Sequence, residues 1–322
     1  MAQENTLTLE PSGQKMPLVG LGTWRITNDQ GEEMIYKAIK NGYRLIDTAL
    51  LYDNQEGVGK GIRRAIDEGI VKREDIFVTA KLWNCYHHKS HVRPQFERDL
   101  KLLGLDYIDL YHIHWPIPQK YVDPSRQYPP EWVDPDSKKL ELERSPLQDL
   151  WRELESLVKD GKLRNIGISN FNVQLTLDLL TYCDIKPAVL QIELHPYLQR
   201  QQVVTWFQKQ GIQVTAYSQF GPEAFDKFTA ENMHLVPLLE HETIKKIADK
   251  HNKTTGQVLL RWQVQRKVAV IPKSSNDQRQ KQNLDLFSWS LDDQDCKAIA
   301  DMDKNIRYNE LELYGIDLPL YD

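Results

Sequence analysis

Cysteine is scarce in this chain. Of 322 residues only Cys85, Cys183 and Cys296 are cysteines, widely separated and odd in number. That count excludes a disulfide framework and zinc-type spacing, so no metal is expected and a reducing cytosol is. Long apolar runs are missing as well. No stretch approaches a membrane span, and the polar start Met1-Ala2-Gln3-Glu4-Asn5 does not read as a signal peptide. A basic stripe is also absent: the net charge is −5, the pI is about 6.0, and both signs are mixed throughout, which argues against nucleic acid as a partner. Finally, no Gly-x-Gly-x-x-Gly opens a helix, so the doubly wound dinucleotide fingerprint is not there.

What is present is a rhythm. Eight apolar runs suit buried strands: Leu18–Thr23, Tyr43–Asp47, Ile76–Lys81, Tyr107–His114, Asn165–Ser169, Ala188–Glu193, Gln213–Tyr217 and Val268–Pro272. Amphipathic helical patterns fall between most of them, at Glu32–Lys40, Glu56–Glu68, Val92–Leu103, Pro146–Lys159, Val173–Tyr182, Gln201–Gln210, His241–Lys250 and Thr255–Gln265. Eight strand–helix repeats without a break in composition predict one α/β domain over residues 1–322, a closed (β/α)8 TIM barrel. Leu7-Thr8-Leu9 and Lys15–Leu18, joined through Pro11-Ser12-Gly13, predict a β-hairpin capping the barrel's bottom. Two inserts, Pro116–Arg144 and Phe220–Pro237, follow the fourth and seventh strands and belong over the barrel mouth. A last helix, Asp292–Met302, leads to a Tyr- and Leu-rich tail, 305–322, placed to wall that mouth.

The strand ends carry the chemistry. Asp47, Tyr52, Lys81 and His114 lie at or just past the ends of three strands, and in a parallel barrel those ends share the catalytic face. A free phenol titrates near 10, too high for efficient acid catalysis, and an ammonium beside it favours the phenolate. An Asp holds that ammonium, and a neutral His orients a carbonyl oxygen. The set is an acid for protonating a carbonyl while a cofactor delivers hydride. Taken singly, each residue has an ordinary reading: a packing Tyr, a structural Asp–Lys pair, and His112 as easily the buried histidine of the two. On the cofactor side, Ser169, Asn170 and Gln191 carry amide and hydroxyl groups suited to a carboxamide, although Ser-Asn is also common turn chemistry. Tyr217 suits stacking on a flat ring. Ile271–Arg279 leaves the eighth strand with Lys273, Ser274, Ser275 and Asn276 and enters a helix with Arg279 on its first turn, a pattern that suits phosphate.

These residues resemble the aldo-keto reductase family. The match covers nearly the whole chain and runs through Met16–Trp24, Tyr43–Ala49, Val78–Asn84, Ile113-His114-Trp115-Pro116, Ile166–Phe171, Leu190–Tyr197 and Ile271–Ser274. Phe220-Gly221-Pro222 and Tyr128-Pro129-Pro130 are similar to its fungal xylose-reducing branch. The resemblance implies NADPH across the barrel top, with NADH left open, and a small carbonyl compound as the other partner, no membrane, and a monomer or homodimer. It implies Tyr52 as proton donor, tuned by Lys81 and Asp47, with His114 orienting the substrate. It implies Thr23, Trp24, Ser169, Asn170, Gln191, Tyr217, Ser218 and Phe220 around the nicotinamide half. Lys273, Ser274, Ser275, Asn276 and Arg279 would surround the 2′-phosphate, and Gln282 and Asn283 the adenine. Trp24, Leu51, Trp83 and Trp115 would line the substrate pocket. Asp53, Gln55, Gln282 and Trp115 depart from the usual pattern, and Asn309–Leu313 replaces an Asn-Asp-Pro. The activity implied is reduction of aldoses and other aldehydes. The alternatives are NADP-linked oxidation of an isoprenoid precursor of the trisporate type, or a nucleotide-binding regulatory barrel. A carboxylate-based hydrolase would need a second acid beside Glu193, and the sequence offers none clearly.

Overall fold

The computed structural model describes residues 5–221 and 234–321. Pro222, most of the second insert and Asp322 therefore lie outside the described residues. The chain opens with an antiparallel hairpin, β1 (Thr6–Thr8) and β2 (Lys15–Pro17), in register Leu7 to Met16. Leu7, Leu9, Met16 and Leu18 are buried beneath it. Its polar side reaches the barrel's lower end: Ser12 Oγ donates to Asn165 Oδ1 (2.6 Å) and Gln14 Nε2 to Asp109 Oδ1 (2.7 Å). The hairpin thus plugs the bottom of the barrel, as its sequence predicts.

Eight parallel strands follow: β3 (Leu21–Gly22), β4 (Leu45–Asp47), β5 (Phe77–Leu82), β6 (Ile108–Ile113), β7 (Leu163–Ser169), β8 (Val189–Glu193), β9 (Gln213–Tyr217) and β10 (Val268–Val270). Each pairs with the next in chain order, from β3 to β10. The first and last then meet. Val19 bridges Val270, Gly20 N donates to Val270 O and Val270 N to Leu18 O, each at 2.8 Å. The sheet is a closed barrel. The first strand is shorter than its apolar run because residues 18–20 pair with β10, whereas 21–22 pair with β4. At Gly22 a Cβ would come within 2.5 Å of Ile271 O, so only glycine permits this approach. β10 stops before Pro272, which has no N–H for a ladder.

Helices pack outside: α1 (Asn28–Asn41), α2 (Gln55–Asp67), α3 (Lys89–Leu103), α4 (Leu147–Lys159), α5 (Val173–Leu180), α6 (Gln201–Lys209), α7 (Glu242–His251), α8 (Thr255–Gln265), α9 (Asp277–Leu284) and α10 (Asp293–Ala300). Strand residues are buried on both faces, as a sheet covered by helices requires. A satellite core forms where α7, α8 and α10 meet, around Ile244, Leu259, Trp262 and Ile299. No described helix is long and apolar enough to cross a membrane.

Candidate active site

β4 and β5 lie side by side, in register Asp47 to Thr79. Asp47 ends its strand, and Lys81 is the fifth residue of the next. Past Asp47 the chain makes a single 3-10 turn, Leu50–Tyr52, closed by Asp53 in the left-handed region (φ 50°). This turn brings the Tyr52 ring back over Lys81. Lys81 Nζ donates to Asp47 Oδ1 (2.5 Å), Thr48 O (3.1 Å) and Tyr52 Oη (3.3 Å). All three protons of the ammonium are then used. Gln191 Nε2 donates to the other oxygen of Asp47 (2.8 Å), fixing the carboxylate from across the barrel.

Lys81 is fully buried. Burial works against its charge, but Asp47 and Tyr52 outweigh it and its pKa is raised. It remains an ammonium because a buried carboxylate sits against it. The sequence reading has that ammonium lowering the phenol of Tyr52. The net direction is the opposite: burial pushes the phenol up, Lys81 pulls it down, and Asp47 adds to the rise. Tyr52 is therefore a phenol that keeps its proton, with a cation placed to stabilise the phenolate once the proton leaves.

His114 lies one residue past β6, its N–H bonded to Leu82 O (3.0 Å). Its ring stands 6.1 Å from that of Tyr52 and 5.2 Å from that of Trp83, edge to face in both cases. Burial, then Lys81 and the neighbouring histidines His112 and His87, hold it well below its ordinary pKa, so it is neutral. His112 is the more deeply buried of the two strand histidines and lies inside the barrel below it.

A cavity of about 360 Å³ opens above this group. Asp47, Tyr52 and His114 form its floor. Ser169, Asn170, Gln191, Tyr217, Ser218, Phe220 and Lys273 contribute to one side, and Thr23, Trp24, Leu51 and Trp115 to the rest. Asn170, in the left-handed region (φ 62°), donates to His114 O (3.0 Å) and accepts from Tyr217 Oη (2.7 Å). Trp83 does not reach the cavity. It is fully buried behind His114, with Nε1 on Glu131 O (3.4 Å). Ser274, Ser275, Asn276, Arg279, Gln282 and Asn283 lie beyond the cavity wall, on the approach to α9 and along it. Asn276 caps that helix through Arg279 N (2.9 Å), Ser274 is buried beneath its first turn, and Arg279 is exposed.

Trp132, Asn309 and Tyr314 also line the cavity, and the sequence had singled out none of them for it. Trp132 comes from the first insert, stacks on Tyr314 (5.0 Å, 25°) and stands edge-on to Trp115. Asn309 Nδ2 donates to Tyr217 Oη (3.1 Å). The tail is tied down by Glu193, which accepts from Tyr308 N (2.7 Å), Asn309 N (3.0 Å) and His195 Nε2 (2.8 Å). Glu193 is thus an anchor, which accounts for the lone acid.

A buried ammonium clamped between a carboxylate and a phenol, at the mouth of a closed barrel, defines a barrel oxidoreductase that moves a proton at a carbonyl or alcohol oxygen. Residues 18–304 match the aldo/keto reductase family, and the chain belongs to it. It is 53% identical to 4-dihydromethyl-trisporate dehydrogenase of Mucor mucedo over 316 residues, 98% of each chain. It is 50% identical to a probable NAD(P)H-dependent D-xylose reductase of Emericella nidulans, over 96% of this chain and 97% of that one. The NAD(P)H-dependent D-xylose reductase of Aspergillus niger is 49% identical over the same shares.

Proposed function

We propose that this chain reduces the carbonyl of aldoses of the xylose type, and of other aldehydes, to the alcohol, with NADPH as reductant and NADH as a second. The observation that carries the reading is Lys81 Nζ bonded at once to Asp47 and Tyr52. The cavity wall fits a nicotinamide. Thr23 Oγ1 is buried there with no partner among the described residues, and Ser169 Oγ accepts from Asn170 and keeps its own proton to give. NADPH, when bound, supplies hydride to the carbonyl carbon. Tyr52 gives its proton to the carbonyl oxygen, Lys81 stabilises the phenolate left behind, and Asp47 holds Lys81. Neutral His114 orients that oxygen. Ser169, Asn170 and Gln191 would hold the carboxamide, and Tyr217 would stack on the ring. Lys273, Ser274, Ser275, Asn276 and Arg279 would meet the 2′-phosphate, and Gln282 and Asn283 the adenine.

The intact set of four counts against a regulatory barrel without turnover. One feature favours a second substrate class. Trp24, Leu51, Trp115 and Trp132 make much of the wall apolar, which suits NADP-linked oxidation of an isoprenoid alcohol, and the Mucor relative carries a name of that kind. We read the whole chain as one barrel domain, monomeric or homodimeric. Its three unpaired thiols fit the cytosol. The test is NADPH consumption by the purified protein with D-xylose and a panel of aldehydes, and NADP reduction with a terpenoid alcohol. No NADPH consumption with any aldose or aldehyde rejects the main reading.

A further inference from the structure

Gln191 stands between the two halves of the site. It is buried, it lines the cavity, and it reaches Asp47 from across the barrel. That contact, 2.8 Å to Asp47 Oδ2, orients the glutamine as much as the carboxylate. An ionised carboxylate can only accept, so the end of the amide that meets it is Nε2. Asp47 cannot turn away, because its Oδ1 is held by Lys81 Nζ at 2.5 Å and Lys81 is pinned in turn by Thr48 O and Tyr52 Oη. The Oε1 of Gln191 is left over, and no described group bonds to it.

Beside it lies a group of opposite polarity. Ser169 and Gln191 are register partners on β7 and β8, so their side chains leave the sheet on the same face. Ser169 Oγ accepts from Asn170 Nδ2 (3.2 Å) and has its own proton to give. Both residues line the cavity. One donor and one acceptor therefore stand side by side there. A primary carboxamide, with an oxygen and an NH2 group on one carbon, is the complement of that pair.

We propose that Asp47 is a positioning residue for the dinucleotide as well as for Lys81: it fixes the Gln191 amide with Oε1 toward the cavity, so that the carboxamide nitrogen must lie on Gln191 and its oxygen on Ser169. The carboxylate that holds the ammonium also decides which way round the nicotinamide's amide is read. Asp47→Asn should reverse that reading. A charged Lys81 can only donate, so the new side chain gives it the oxygen and turns its nitrogen to Gln191. Gln191 must then turn Oε1 to that nitrogen and offer an N–H to the cavity. The inference rests on the reading that Gln191 meets the carboxamide, and the experiment separates the two.

The experiment is calorimetric titration with NADP and with its acetylpyridine analogue, in which a methyl group replaces the amide nitrogen. It is run on wild type, Asp47→Asn and Gln191→Leu, each checked for folding by its melting curve, and needs no turnover. Wild type is expected to bind NADP about tenfold more tightly than the analogue, the order set by leaving a buried acceptor unmet. In Asp47→Asn the ratio should fall to about one, since no acceptor then faces the methyl group. Gln191→Leu should lose the ratio as well. A merely structural role for Asp47 would weaken both ligands alike and keep the ratio. A ratio kept in Asp47→Asn but lost in Gln191→Leu overturns the proposal and leaves Gln191 at the carboxamide. A wild-type ratio near one overturns it whether or not either variant folds. A ratio kept in Gln191→Leu removes Gln191 from the carboxamide, and the proposal falls with that reading.

Discussion

At Tyr52 two effects oppose each other, and their balance sets the pH behaviour. Burial raises the phenol and Lys81 draws it back without reversing the sign. The donor therefore keeps its proton through the neutral range. Reductive kcat/KM is expected to stay level there and to fall only above pH 10.0, the ordinary phenol value. His114, held well below 6.5, adds no limb at that pH. A full pH–rate profile checks both, and a limb between pH 7 and 9 would contradict the first. Tyr52→Phe is expected to remove at least about a hundredfold in kcat, the ordinary worth of a positioned acid, while NADPH binding by fluorescence titration persists. Away from the site, Asp99 is buried and takes protons from Tyr111 Oη (2.5 Å) and Gln95 Nε2 (2.8 Å). Burial pushes its carboxyl up to about 7, against which those bonds work. Its folded value exceeds its unfolded value of 3.8, so its contribution to stability is whole below 3.8 and is lost as pH rises to about 7. At about 1.4 kcal/mol per pKa unit the loss is a few kcal/mol. Melting temperature against pH should fall over that window in wild type and be flatter in Asp99→Asn.

The elements differ in how far sequence reveals them. Strands and helices were legible because burial on both faces gives unbroken apolar runs and amphipathic helices a 3.6-residue period. Asp47, Lys81 and His114 were legible because a strand's end fixes where its last side chains go. Trp132, Asn309 and Tyr314 come from segments with no period, whose positions depend on contacts distant in sequence, such as the Trp132–Tyr314 stack and the bond from Asn309 to Tyr217. Trp83 was misplaced for a related reason: it follows the strand by one residue, and its indole turns behind His114 to reach Glu131 O. The direction of the Tyr52 shift was missed because burial depth is not written in a strand end. The tail makes its own prediction. Burial pushes the Glu193 carboxyl up, yet His195, Arg307 and the Tyr308 N–H hold it below the usual range. Glu193→Ala should release the tail, raising hydrogen exchange over 308–321 and KM more than it lowers kcat. On α9, Arg279→Ala should weaken NADPH much more than NADH, and an equal loss for both in binding titrations would separate Arg279 from the 2′-phosphate.

For the molecule as a whole, the barrel divides its labour between ends. Asp109, at the lower end of β6, accepts from Arg73 (2.7 Å), Val78 N (2.9 Å) and Gln14 of the hairpin. His114 stands beyond the other end of the same strand. Asp109→Ala removes the only carboxylate against Arg73 among the described residues and leaves the Val78 amide unpaired, while Arg73 keeps its bonds to Ile76 O and Tyr107 O. It should cost about 3 kcal/mol in denaturant unfolding, with KM unchanged. The seam that joins Leu18–Gly20 to Val270 bears on how the protein is made. Its first edge leaves the ribosome early and must wait, unpaired, for nearly the whole chain before its neighbour arrives. Contacts that distant in sequence slow folding. A nascent chain halted short of Val270 would hold an open sheet edge, the form in which this protein most needs a chaperone.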